Sequence, residues 1–120
     1  MPTVMLVDDA KFMRMVLKDI ITSIGGYEVV GECDDGSKVL DEYKRCKPDI
    51  VLMDIVMKYS GIDATRDLKQ FDEKAKILIV SALGGEEALV NEAVKVGAEK
   101  RIVTKPFKKE EIEEVLNTLL

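Results

Sequence analysis

The chain has 120 residues, of which 47% are hydrophobic and 34% are charged, which is enough for one domain with a substantial buried core. The 18 lysines and arginines are outnumbered by 23 aspartates and glutamates, and the net charge of −5 argues against binding to nucleic acid or anionic lipid. The chain has two cysteines and no histidine, which excludes histidine-based catalysis and leaves almost no ligands for zinc. Any chemistry must come from carboxylates, lysine, hydroxyls and backbone groups.

The apolar stretches of the chain are short. Those at residues 50–53 and 77–80 have the length of strands and fall far short of a membrane span. The first seven residues lead directly into Asp8 and Asp9, a pattern unlike that of a signal peptide. We therefore expect a single domain over residues 1–120 that resides in the cytoplasm without membrane contact.

Short apolar runs typical of strands alternate with amphipathic helical patterns. The predicted strands are residues 4–7, 27–32, 50–53, 77–80 and 102–104. The predicted helices are residues 13–24, 37–45, 62–70, 86–96 and 109–120. The first, third and fourth strands are apolar at consecutive positions, as expected when helices cover both faces of a parallel sheet. The sequence therefore predicts an open, doubly wound α/β fold.

Polar side chains follow four of these strands. Asp8 and Asp9 come after the first, Asp54 after the third, Ser81 after the fourth and Lys105 after the fifth. In doubly wound folds the carboxyl ends of the strands form the ligand site, so we expect these side chains to converge. Taken singly, an aspartate or serine here is compatible with a turn or a helix cap, and a lysine with a solvated surface position.

Asp54 is the most informative of these residues, because apolar residues precede and follow it. A carboxylate in such a setting needs a partner, and three carboxylates together repel one another unless a cation is present. An all-oxygen cluster without histidine favours Mg²⁺. With Lys105 and Ser81 able to contact phosphoryl oxygens and one aspartate as nucleophile, the pattern indicates an acyl-phosphate site.

The same residues carry a family resemblance that extends over the whole chain. The motifs Val7-Asp8-Asp9, residues 51–57, Ser81-Ala82 and residues 104–107 resemble the signature set of response-regulator receiver domains. Residues 8–15 further resemble the stand-alone chemotaxis response regulators of the CheY type. The resemblance implies a (βα)5 flavodoxin-like fold with a five-stranded parallel sheet of order 2-1-3-4-5.

The resemblance also implies a role for each site residue. Asp54 would accept a phosphoryl group, Ser81 and Lys105 would each contact one of its oxygens, and the peptide bond from Lys105 to Pro106 would be cis. The expected ligands of Mg²⁺ are Asp9, Asp54 and the backbone carbonyl of Val56, with Asp8 acting through water.

The partners that the resemblance implies are proteins. They are a sensor histidine kinase of the chemotaxis type, a downstream target such as the flagellar motor switch, and a phosphatase. The chain would be a monomer that signals through its own surface and catalyses no reaction other than its own phosphorylation and dephosphorylation.

Several positions depart from the family pattern. Lys58 stands where a proline is usual, in a loop that is one residue short, and the switch aromatic is replaced by Ile102, or by Arg101 in a shifted alignment. Val56 and Leu83 are apolar where polar residues in relatives orient the hydrolytic water, which predicts slow autodephosphorylation.

Three other functions compete with this interpretation. A small aspartate-dependent Mg²⁺ phosphatase would use similar groups, but normally places its two aspartates one residue apart. A flavodoxin-like cofactor carrier would need a phosphate loop where this chain has Asp8 and Asp9. A receiver that binds partners without phospho-switching would be consistent with the absence of an aromatic side chain at Ile102.

Overall fold

Strands and helices alternate along the chain in the computed structural model, which describes residues 1–82 and 84–120. The strands are β1 (Thr3–Val7), β2 (Glu28–Cys33), β3 (Ile50–Asp54), β4 (Ile77–Ala82) and β5 (Ile102–Lys105). The helices are α1 (Lys11–Ile24), α2 (Val39–Cys46), α3 (Gly61–Phe71), α4 (Glu87–Lys95) and α5 (Lys109–Leu119). All strand pairs are parallel, in the order β2-β1-β3-β4-β5, which confirms the predicted flavodoxin-like architecture.

Two apolar cores lie on opposite faces of the sheet, because successive side chains of a strand point in opposite directions. From β1, Met5 and Val7 enter one core with residues of α2, α3 and α4, whereas Val4 and Leu6 enter the other with residues of α1 and α5. Every residue of β3 is buried. The consecutive apolar runs in the sequence thus reflect a sheet that is covered on both faces.

The helix boundaries differ from the predicted ones by a few residues. Helix α1 begins two residues earlier than predicted, and the predicted helix 37–45 begins with a short 3₁₀ helix over Gly36–Lys38 before α2. The carboxylate of Asp35 accepts a hydrogen bond from the backbone N–H of Ser37 and caps this segment. Within the described residues, no helix is both long enough and apolar enough to span a bilayer.

Candidate functional site

The carboxyl ends of the strands bring the predicted site residues together. Asp54 is the last residue of β3, Lys105 is the last residue of β5, and Asp8 directly follows β1. One carboxylate oxygen from each of Asp8, Asp9 and Asp54 lies within 4.8 Å of the other two. In the pairing of β4 with β5, Ala82 lies opposite Lys105, so Ser81 borders the same edge. Asp8, Asp9, Asp54 and Lys105 therefore converge as predicted, and Ser81 lies on the neighbouring strand at the same edge.

Three of these polar residues are buried although they lie at an edge of the sheet. Asp8 is 1% exposed, Ser81 3% and Asp54 6%, whereas Asp9 is exposed to solvent. The side chain of Lys105 is 26% exposed. Carboxylates this poorly hydrated are unfavourable unless a cation or hydrogen-bond donors compensate them.

Lys105 supplies part of that compensation. Its Nζ lies 3.3 Å from Asp8 Oδ2 and 3.5 Å from Asp54 Oδ1. Asp8 Oδ1 accepts a hydrogen bond of 2.9 Å from the backbone N–H of Ala10. Asp8 Oδ2 is fully buried and has no hydrogen-bond partner of good geometry among the described residues. One cation therefore faces two buried carboxylates, and its contact with Asp8 Oδ2 is an ion pair without the geometry of a hydrogen bond.

This imbalance shifts the pKa of Asp54. Burial raises the pKa of Asp54 to about 6, and the negative charges of Asp8 and Asp9 add to the effect, while Lys105 and the backbone N–H of Val56 oppose it. Burial lowers the pKa of Lys105, but its attraction to Asp54 and Asp8 outweighs burial, so the net shift is upward. Asp54 is therefore mostly ionised at neutral pH, in an environment that favours neutralisation of its charge.

The arrangement fits a hard divalent cation. The three clustered carboxylates offer oxygen ligands only, the donor set that Mg²⁺ prefers, and the buried Asp8 Oδ2 accepts no hydrogen bond from the described residues. Val56, whose carbonyl is the remaining expected ligand, lies two residues beyond Asp54, and its side chain is 52% exposed. The acidic edge of the sheet can thus hold a metal ion while staying open to solvent on the Val56 side.

A close backbone contact supports the end of β3. A Cβ atom on Gly61 would overlap the carbonyl oxygen of Asp54 and lie 2.9 Å from Cα of Ile55. The N–H of Gly61 donates to the carbonyl of Ile55 at 3.1 Å, and the hydroxyl of Ser60 caps α3 by accepting from the N–H of Ile62. Gly61 is not among the predicted site residues. Glycine after a strand and before a helical pattern is the signal that could have revealed this contact.

Ile102, at the position where the resemblance predicts an aromatic residue, borders a cavity. Ile102 is partly buried against the core formed with α2, α3 and α4. It lines a cavity of about 300 Å³ whose other walls include Ser81, Val90 and Thr104. The alternative position, Arg101, is exposed and pairs with Glu114 at 3.2 Å. Neither position supplies a ring next to Ser81.

Two further expectations concern positions near this edge. The peptide bond between Lys105 and Pro106 is cis, as the resemblance implied. Leu83, expected to border the path of a hydrolytic water, lies outside the described residues.

Comparison with known proteins identifies the family. The model of the response regulator receiver domain matches residues 4–117 of this chain. The chain belongs to the response regulator receiver family. This assignment agrees with the acidic cluster, the buried Asp54 and the lysine at the end of β5.

Relatives of this receiver are similar to it over nearly their full lengths. It is 50% identical over 115 residues to the chemotaxis protein CheY of Thermotoga maritima, covering 95% of this chain and 93% of that protein. It is 41% identical over 118 residues to CheY of Bacillus subtilis, covering 98% and 96%. Its structure is similar to CheY in the CheX-CheY complex with BeF3 and Mg from Borrelia burgdorferi, with a TM-score of 0.88, 32% identity and coverage of 99% of this chain and 90% of that one.

Proposed function

We propose that this receiver is a single-domain response regulator over residues 1–120, phosphorylated on Asp54, that signals by phosphorylation-dependent protein binding in chemotaxis. The observation that carries the proposal is the placement of Asp54, which is buried at the carboxyl end of β3 with Lys105 Nζ 3.5 Å from its Oδ1. The chemotaxis context is supported by the two CheY relatives, which are similar to this chain over more than nine-tenths of its length.

The acidic cluster is proposed to hold Mg²⁺. Asp9, Asp54 and the backbone carbonyl of Val56 would be direct ligands, and Asp8 would act through water. When bound, Mg²⁺ supplies positive charge that neutralises the carboxylates and incoming phosphoryl oxygens. The chain's own contribution is to keep the three carboxylates within reach of one another, with Lys105 as a fixed cation beside them.

Asp54 is proposed to act as the nucleophile. One of its carboxylate oxygens would form a bond to phosphorus while the bond from phosphorus to the imidazole nitrogen of a kinase phosphohistidine breaks, and that nitrogen keeps the electron pair. Lys105 and Ser81 would then each contact one phosphoryl oxygen. Because this chain has no histidine, the phosphoryl group must come from another protein or from a small phosphodonor.

The signal would leave through the surface of the domain. Phosphorylation adds about −1.5 to −2 charges next to Lys105 and Ser81, a local change that can bias the neighbouring elements between two arrangements. The proposed partners are a chemotaxis sensor kinase, a target such as the flagellar motor switch, and a phosphatase. We propose that the protein binds them as a monomer in the cytoplasm. The solved CheX-CheY complex supports protein partners, since it pairs a structural relative with a second protein.

Amide NMR spectra with and without beryllofluoride and Mg²⁺ test this proposal. We expect amide shifts around Asp54, Ser81 and Lys105 that extend into neighbouring elements, and no such response in Asp54→Ala. Asp19→Ala, which removes an exposed aspartate of α1, is the matched control and should respond like the wild type. An unchanged wild-type spectrum would contradict the proposal. Steady turnover of a generic phosphate ester with Mg²⁺ would instead favour the phosphatase alternative.

The environment of Ile102 supports a second candidate function, that of a receiver that binds its target without switching. The absence of a ring at Ile102 and the cavity beside Ser81 remove the usual aromatic route from the site to the surface. Amide shifts confined to residues next to Asp54 would support this second function. Shifts that reach α4 and α5 would contradict it.

A further inference from the structure

Arg14 lies in α1 and contacts the turn that carries two of the clustered aspartates. Its Nη1 donates a hydrogen bond of 2.6 Å to the backbone carbonyl of Asp8. Its Nε donates to Oε1 of Glu32 on β2 at 3.1 Å. The Arg14 side chain is only 14% exposed. A single guanidinium therefore connects helix α1, strand β2 and the turn after β1.

The position of Arg14 is unfavourable for a cation in general. The partial positive charge at a helix N-terminus favours acidic residues near the start, yet the first turn of α1 has none, and Arg14 is its fourth residue. The N-cap residue, Ala10, has no side chain that could cap the helix. The contacts of Arg14 with Asp8 and Glu32 offset this unfavourable interaction with the helix N-terminus. They indicate that Arg14 serves the turn after β1 rather than the stability of the helix.

The carbonyl that Arg14 contacts belongs to the peptide unit joining Asp8 to Asp9. On one side of that unit, the N–H of Asp8 donates to the carbonyl of Cys33 at 3.1 Å. On the other side, the N–H of Ala10 donates to Asp8 Oδ1 at 2.9 Å. The orientation of the peptide between Asp8 and Asp9 therefore sets the direction in which the side chains of both residues leave the backbone.

We propose that Arg14 is a positioning residue for the acidic cluster. By holding the carbonyl of Asp8, it fixes the peptide that orients the carboxylates of Asp8 and Asp9 toward Asp54, and Glu32 fixes the guanidinium in turn. This role rests on the proposed Mg²⁺ site, because pre-orienting these carboxylates raises the affinity of the cluster for the metal. Residues that orient metal ligands without touching the metal typically change affinity about 10- to 100-fold when replaced.

Electrostatics alone predicts the opposite change in Mg²⁺ affinity when Arg14 is replaced. Arg14 is a cation close to a site for another cation, so its removal should strengthen Mg²⁺ binding if charge alone mattered. If positioning dominates, removal should weaken Mg²⁺ binding despite the more negative surroundings. The direction of the change therefore separates the two roles.

The test compares three variants by calorimetric Mg²⁺ titration and by amide hydrogen exchange of the metal-free protein. Arg14→Gln removes the charge and the paired donors, and Arg14→Lys keeps the charge but loses the fork that reaches two acceptors at once. Lys18→Gln is the matched control, because Lys18 lies on the same helix and is 3.8 Å from Glu32.

We expect Arg14→Gln to weaken Mg²⁺ binding about tenfold, Arg14→Lys to weaken it less, and Lys18→Gln to leave it unchanged or slightly tighter. In metal-free protein the N–H of Ala10 should exchange several-fold faster in Arg14→Gln than in Lys18→Gln, because Asp8 Oδ1 is no longer held in place. Wild-type or tighter affinity in Arg14→Gln, or an unchanged exchange rate at Ala10, would overturn the role of Arg14.

The proposal can still be tested if Arg14→Gln does not fold or if the wild type binds no Mg²⁺. If Arg14→Gln does not fold, Arg14→Lys takes its place, and wild-type affinity together with wild-type exchange at Ala10 overturns the proposal. If the wild type binds no Mg²⁺, the proposed metal site is wrong, and the raised affinity claimed for Arg14 is wrong with it. Exchange at Ala10 then still shows whether Arg14 holds the turn, so the two failures can be told apart.

Discussion

Lys105 Nζ lies 3.5 Å from Asp54 Oδ1, although the two residues are 51 positions apart in the chain. The contact arises because both residues end parallel strands of one sheet, on either side of β4. The same ammonium group also faces Asp8 Oδ2 at 3.3 Å. One ammonium group thus faces two buried carboxylates. The site therefore has less positive than negative charge, which is the basis for the predictions on Lys105 and Asp54.

Replacing Lys105 with methionine should raise the pKa of Asp54 above the value of about 6 that it has beside the ammonium group. The reason is that Lys105 opposes the effects of burial and of Asp8, and methionine keeps the side-chain length without the charge. The pKa is read from the carboxyl ¹³C shift of Asp54 in metal-free protein. Lys108→Met, which changes an exposed lysine nearby in the chain, is the control and should leave the pKa unchanged.

Asp54→Asn should stabilise the metal-free protein at neutral pH. The pKa of Asp54 rises from 3.8 to about 6 on folding, so protonation favours the folded state and the ionised carboxylate disfavours it. The free energy of unfolding of Asp54→Asn should equal that of the wild type below about pH 4. The difference should grow between about pH 4 and 6 and level off above that at about 2–3 kcal/mol in favour of the variant.

Urea denaturation at a series of pH values, with Mg²⁺ removed by a chelator, measures this difference in the free energy of unfolding. Asp19→Asn is the control, because Asp19 is exposed on α1. A gap between Asp54→Asn and wild type that is constant across the pH range would contradict the mechanism. Saturating Mg²⁺ should narrow the gap, since the ionised cluster of the wild type then gains binding free energy.

Gly61→Ala should destabilise the fold and disturb the end of β3. The new Cβ would overlap the carbonyl oxygen of Asp54, which belongs to the backbone of β3 and cannot move aside as the end of a flexible side chain could. We expect a loss of about 2–3 kcal/mol in the free energy of unfolding, together with weaker Mg²⁺ binding. Gly25→Ala is the comparison, because its Cβ would meet nothing within 4 Å and only its positive φ is strained, at a cost of about 1 kcal/mol. Equal losses in the two variants would argue against a steric origin.

Phosphorylated protein should lose its phosphoryl group slowly, with a half-life of minutes or longer. The half-exposed side chain of Val56 beside Asp54 has no group that could orient an attacking water. Val56→Asn should therefore shorten the half-life several-fold, followed as loss of phosphorylated protein after the phosphodonor is removed. Leu89→Asn, at an exposed apolar position of α4, should decay like the wild type. A wild-type half-life of seconds would contradict this prediction.

Much of the fold follows from the sequence because periodicity is a local property of the chain. Consecutive apolar residues at 50–53 and 77–80 predicted strands covered on both faces, and β3 is buried throughout. The boundaries were less accurate where a side chain intervened, as at Asp35, whose cap produces a 3₁₀ turn before α2. Such a cap depends on one hydrogen bond, which the apolar pattern does not encode.

Some features of the candidate site could also be predicted from the sequence, and others could not. Residue type and position at the strand ends were enough to predict that Asp8, Asp9, Asp54 and Lys105 meet at the edge that Ser81 also borders, since parallel strands align their carboxyl ends. The overlap that a side chain on Gly61 would create and the contact of Arg14 with the carbonyl of Asp8 were not predicted. Both depend on how closely a helix and its side chains approach a strand end, and that distance is set by packing between segments far apart in the chain. The sequence by itself determined which groups gather at the edge of the sheet, and only the tertiary structure decided how deeply they are buried and what holds them in place.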